Sequence, residues 1–209
     1  MLNPIGAGVG PSIAWDACVF SFDLPLHTLT KIKMIQIRVY LLLVVSCCFV
    51  KSNAQSVDSL FLEAARIKLH HAKEYTLSVA GLMPAEFYQF RPSPEEMNFG
   101  EQLLHLSANL GWLSSTYLTI DQNPINQKDM KVTSKDSVIA VVKRAYDYAE
   151  KVLRQFPARS LNENVTFFAG PMNKLQIINL VNDHQTHHRG QMLVYLRMKN
   201  ITPPKYVGW

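Results

Sequence analysis

From Ser56 onward, apolar residues recur at intervals of three and four, the period of a helix with one buried stripe. Leu60, Ala64, Ile67, His71 and Tyr75 follow that spacing and predict a first helix over roughly 56–81. Gly81 and Pro84 stop it, and Pro92 and Pro94 keep "GLMPAEFYQFRPSP" extended. Phe99, Leu103, Leu106, Leu110, Leu113 and Tyr117 alternate spacings of four and three. They predict a second helix over roughly 95–119, packed in a bundle. After the loop "DQNPINQKD", Thr133 or Ser134 caps a third helix that runs to about Phe156. Its inward side is Val138, Val141, Val142, Ala145, Ala149 and Leu153. "PARSLNENVTFFAGPM" is irregular, with "VTFF" a strand or hairpin arm. A fourth helix runs from about Asn173 to Lys199, with Pro203 and Pro204 beyond its end. Four helices of about 25 residues with connections of roughly 10–20 predict an all-α fold, an antiparallel four-helix bundle. The long connections imply that something is built across one end.

The pattern before Ser56 is different. "MIQIRVYLLLVVSCCFVKSNAQS", starting at Met34, has a short start with one Arg, an apolar run from Val39 to Val50, and the small-residue pattern Ser52-Asn53-Ala54. That is the layout of a secretory signal peptide, and the run is shorter than the about 20 residues a bilayer needs. Residues 1–33 have no clear period and read as an upstream segment from a misassigned start. The expected organisation is therefore 1–33 upstream, 34–54 signal, and 55–209 a single helical domain in the periplasm or outside the cell. "VVSC", ending at Cys47, loosely fits a lipobox, so a lipid anchor at Cys47 is the alternative.

Composition narrows the chemistry. The chain has 209 residues and a formal net charge of +5, part of it from Lys31, Lys33, Arg38 and Lys51. No block of Lys and Arg interleaved with aromatics follows, so nucleic acid is not the expected partner. Cys18, Cys47 and Cys48 all precede residue 55. Any metal in the helical domain must then be held by His, Asp or Glu.

"NDHQTHHRGQ", Asn182 to Gln191, carries three of the seven histidines. Ile177, Val181, His184, His188 and Tyr195 follow the inward stripe of the fourth helix, with Gln191 or Met192 between. His184 and His188 thus replace apolar residues one turn apart, where two imidazoles can converge on one cation. His187, three residues from His184, is the alternative second ligand. A third donor is His105, which flanks the leucine seam of the second helix on a strip with Gln102, Asn109 and Trp112. Three histidines with open positions make a catalytic type of metal site. His70 and His71 read as solvated or packed, and by periodicity Arg189 reads as a surface or capping residue.

"EQLLHLSANLGWL", "DHQTHHRGQM" and "FRPSPEEMNFGEQLLH" together resemble the DinB-like proteins, over about residues 56–200. (That family is distinct from the translesion polymerase that shares the name.) The resemblance implies a four-helix bundle with a divalent metal, zinc or nickel foremost, on His105, His184 and His188. It also implies a homodimer. Some members resemble thiol transferases, which use the metal to bind a low-molecular-weight thiol. The expected function is therefore a metal-dependent transferase acting on a small molecule through a metal-bound thiolate or hydroxide. The alternatives are a metal-dependent hydrolase and a non-catalytic protein that binds metal or a small ligand. Asn109, Asp183, Arg189 and Gln191 are candidates for orienting the ligands or the substrate.

Overall fold

The computed structural model describes residues 57–207, together with Met34 and Gln36. The expected upstream segment, the Cys47 anchor and the signal peptide apart from Met34 and Gln36 lie outside the described residues. The fold is that of the unit Val50–Trp209. Among the described residues, no helix is long and apolar enough to cross a membrane.

Helix α1 covers 57–82, α2 Phe99–Leu113, α3 Lys135–Gln155 and α4 Lys174–Met198. The start of α2 is set by chemistry that periodicity alone misses. The Asn98 side chain accepts from the Glu101 backbone N–H, and the Glu101 carboxylate accepts from the Asn98 N–H, both at 2.8 Å. This capping box satisfies two donors that a helix start leaves open. It places the first turn at Phe99, four residues after the expected start. An equivalent box, Asn173 with Gln176, opens α4, and Ser134 caps α3. At its far end α2 widens into a π-helical turn, Ser114–Leu118. The "VTFF" segment is a hairpin arm. Strand β1, Asn164–Phe167, pairs antiparallel with β2, Gly170–Asn173, through a turn closed by Gly170 at φ 123°.

The inward faces expected of α2, α3 and α4 are buried as read except Tyr117 and His184, which are half-buried, with Met192 rather than Gln191 on the α4 stripe. Helix α1 buries Leu62, Ala65, Leu69, Ala72, Thr76 and Val79 with Tyr75 of the periodic set, and it exposes Leu60 and Ile67. Both stripes have the same period, so the choice between them falls to the partner helices.

Contacts define two antiparallel pairs. Along α1 and α3, Arg66 donates to the Leu153 carbonyl, Lys73 meets Asp147 and Glu150, and Lys135 reaches the Gly81 and Met83 carbonyls. Along α2 and α4, Tyr195 reaches the Met97 carbonyl and Gln102 reaches Gln191. Between α2 and α3 the order is the same in both chains of residues. Gly100 and Leu104 lie near Val138, and Leu118 lies near Phe156. These two helices run in the same direction, so the 119–134 connection must return along the bundle, which explains its length.

Lys73 bridges Asp147 and Glu150 at 2.6 Å each, and Glu150 also faces His70 Nδ1 at 3.0 Å. Burial pushes the Glu150 carboxyl up. The hydrogen bonds from Lys73 and His70 outweigh that and hold it below the usual range. A carboxylate depressed in the folded state adds stability above its unfolded pKa, roughly 4.3, and that stability is lost as pH falls through the folded value. Glu150→Gln is therefore expected to cost about 1–2 kcal/mol at pH 7 and almost nothing well below pH 4, measured by urea unfolding at both pH values.

Candidate metal centre

Antiparallel packing of α2 on α4 sets His105 against a turn of α4 that carries two histidines. One ring nitrogen from each of His105, His184 and His188 lies within 4.8 Å of the other two. The His105 ring centroid is 5.1 Å from that of His184 and 4.6 Å from that of His188. His184 Nε2 and His188 Nε2 face each other at 3.2 Å. His188 is buried, and His105 and His184 are half-buried. His187 is exposed. Its Nε2 meets the Gln191 amide nitrogen at 3.0 Å, and it is not part of the cluster.

A hydrogen-bond relay determines which His188 nitrogen is free. Tyr195 gives its single hydroxyl proton to the Met97 carbonyl at 2.9 Å, so toward Gln102 it can only accept. The Gln102 group facing Tyr195 is then the NH₂, which donates to that hydroxyl at 3.3 Å and to the Gln191 oxygen. Gln102 Oε1 is left facing His188 Nδ1 at 2.6 Å. An amide oxygen has no proton to give, so Nδ1 carries the hydrogen and His188 Nε2 presents its lone pair to the cluster. The same logic gives His187 an acceptor Nε2, because Gln191 has its oxygen on Gln102 and its NH₂ left to donate.

All three imidazoles are held neutral. Burial, then repulsion from His184, His105 and His187, lowers His188 to about 3. Burial, then His105 and His187, lowers His184 to about 4. His105 is lowered by burial and by His187. The cluster therefore offers lone pairs rather than cations at neutral pH.

These residues fit a divalent cation. Two nitrogens at 2.0–2.1 Å from a tetrahedral ion are about 3.3 Å apart, close to the 3.2 Å between the paired Nε2 atoms. Among the described residues the buried Nδ1 of His184 has no hydrogen-bond partner, so that ring's only hydrogen-bond contact there is the one to His188. An all-imidazole donor set suits zinc or nickel better than calcium or magnesium. Among the described residues, no carboxylate or fourth histidine joins the group.

The surroundings sort the other candidates. Gln191 belongs to the relay. Asn109 is half-buried one turn along α2 from His105, and half-buried Trp112 follows on the same strip, against Phe167 and Phe168 of the hairpin. Asp183 is exposed, because neighbours in a helix point about 100° apart and His184 takes the inward direction. Arg189 is not a surface residue: it is 6% exposed and lies between α4 and α1. Period alone placed it outside, since the stripe facing α1 is separate from the stripe facing α2. Gln102, which was read only as a neighbour of His105, is the residue that orients His188. Its signal in the sequence is a polar side chain one turn before His105, on a strip otherwise facing another helix.

The DinB superfamily profile matches residues 68–192, which take in α2, α3, the hairpin and all three histidines. Among solved structures, a DinB-like protein from Bacillus subtilis superposes with a TM-score of 0.58 at 15% identity, covering 68% of this chain and 96% of that one. A DinB-like protein from Bacillus cereus gives a TM-score of 0.55 at 19% identity, covering 70% of this chain and 95% of its own. At such identities these two likenesses speak for the fold. No curated protein matches the chain significantly. With more than half its length under the family profile, on a helical bundle shared with DinB-like structures, the chain belongs to the DinB superfamily.

Proposed function

We propose that this chain holds a divalent cation, zinc or nickel, on His105, His184 and His188, and uses it to transfer a small molecule, with a low-molecular-weight thiol as its partner. The observation behind this reading is the convergence of three neutral imidazoles from two helices with no fourth protein donor among the described residues. Three donors leave room for an exogenous ligand, as in catalytic rather than structural sites. A cation there acidifies a thiol or water bound beside it, so that a nucleophile is available at neutral pH.

The chain's own residues do the rest. Gln102 holds the proton on His188 Nδ1 and keeps Nε2 directed at the site. The relay to the Met97 carbonyl ties that orientation to the backbone at the start of α2. Half-buried Asn109, Trp112 and Leu180 lie along the two helices beyond the histidines and offer a mostly apolar wall for the acceptor. The signal-like segment from Met34 favours action outside the cytoplasm.

Protein purified without chelator is expected to carry about one zinc or nickel per chain by elemental analysis. His105→Ala and His188→Ala should lose it, with affinity down at least about tenfold. Equally low metal in all three would end the metal reading. Gln102→Leu keeps every ligand but frees the His188 ring, and should weaken metal binding by roughly tenfold while lowering stability by about 1–3 kcal/mol through the stranded His188 N–H. Loaded protein is expected to turn over a thiol with an electrophilic acceptor, and His105→Ala is not. Metal loading without thiol turnover would leave hydrolysis, or binding without catalysis.

A further inference from the structure

On the opposite side of α4 from the histidines, Arg189 is more than nine-tenths buried between α4 and α1. Its guanidinium lies 5.2 Å from the centre of the Tyr75 ring. It also reaches the hydroxyls of Thr76 and Thr186, both at 3.4 Å. The two threonine bonds are long, and the Thr76 hydroxyl is shared with Tyr146 at 2.9 Å. The guanidinium also hydrogen-bonds the Tyr146 hydroxyl, and all of these partners are neutral. A guanidinium has five N–H donors and stays charged at any physiological pH. Among the described residues, no carboxylate pairs with it. Hydroxyls and a tyrosine ring offset part of the cost of burying that cation but bring no counter-charge, so an anion beside it is favoured.

Room for one lies beside it. A cavity of about 70 Å³ is lined by Lys68, Asn182, Thr186, Arg189 and Tyr206. One water needs roughly 10–15 Å³ by this measure, so a group of several oxygens fits. Among the described residues the lining brings two cationic side chains and two hydroxyls to one small space, with no carboxylate. Asn182 is itself buried, and its amide donates to the Ile178 carbonyl at 3.2 Å. Among the described residues its carbonyl oxygen has no donor. A ligand that carries an O–H beside its anionic oxygens would satisfy both Arg189 and Asn182.

We propose that this cavity between α1, α4 and the C-terminal segment binds a compact oxyanion bearing a hydroxyl, either hydrogen phosphate or a small hydroxycarboxylate. Arg189 is the charged anchor, and Lys68 and Thr186 are the outer contacts. This site is separate from the histidine cluster and does not depend on the metal reading.

The test is a calorimetric titration of the full chain with inorganic phosphate, glycolate and acetate, at ionic strength held constant with chloride. Saturable binding of phosphate or glycolate is expected, with acetate weaker than glycolate, and whichever of the two binds more tightly identifies the source. Arg189→Met should weaken binding at least about tenfold. Because that variant removes a buried side chain, Lys68→Met at the exposed rim provides the second arm, with roughly threefold weakening expected and an unchanged unfolding midpoint. His105→Ala should bind as the parent does. No saturable binding by the parent would overturn the proposal. So would binding lost in His105→Ala but kept in Lys68→Met, which would put the anion on the histidine cluster. Acetate binding as tightly as glycolate would overturn the hydroxyl requirement.

Discussion

Gln102 and His188 meet across the seam between α2 and α4 at 2.6 Å, and the arrangement of the site depends on that bond. It fixes a tautomer, and the tautomer decides where the lone pair of the most buried imidazole points. The bond is in turn determined by a backbone carbonyl that can only accept, through a tyrosine with one proton and an amide with two ends. Chains of this kind have a direction because each member has a limited number of donors and acceptors. Here the direction runs from the protein's frame toward the cluster.

The relay requires α2 and α4 to be antiparallel and in one particular register. The capping boxes contribute to that register from both ends. Asn98 and Glu101 start α2 just after Met97, whose carbonyl anchors Tyr195. Asn173 and Gln176 start α4 directly from the hairpin. A shift of α4 by one residue would turn His184 and His188 by about 100° and remove Gln102 from reach. The parallel run of α2 and α3, with its long crossover, leaves α4 flanked by α2 on one side and α1 on the other. Helix α4 therefore presents two separate polar faces, one with two histidines and one with a buried arginine.

The two faces solve opposite electrostatic problems. On the α2 side, burial and mutual repulsion keep three imidazoles neutral, so the cluster can accept a cation. On the α1 side, a guanidinium cannot shed its charge, and the fold meets it with hydroxyls and a tyrosine ring, which leaves the neighbouring cavity suited to an anion. Neither face resembles the ion pairs between α1 and α3, where Lys73 finds both of its acids within the fold.

Much was legible in the sequence, because it is local. The three-and-four spacing gave the helices, and polar residues on an apolar stripe marked His184 and His188 as inward. The seam from Phe99 to Tyr117 put His105 at its edge, and the family resemblance carried by these segments agrees with the profile match. Helix ends, tautomers and faces needed more. Two stripes of equal period on α1 are indistinguishable until partners are known; packing buries Leu62 and Leu69 and leaves Leu60 and Ile67 exposed. Arg189 was read as a surface residue because a helix between two neighbours has two inward faces, and one period describes only one of them. Gln102 could not be assigned its role from spacing, since hydrogen-bond direction is a property of a network that spans residues 97 to 195. Periodicity records which residues avoid water, whereas only packing across the chain decides which polar groups meet and which of them is left holding the proton.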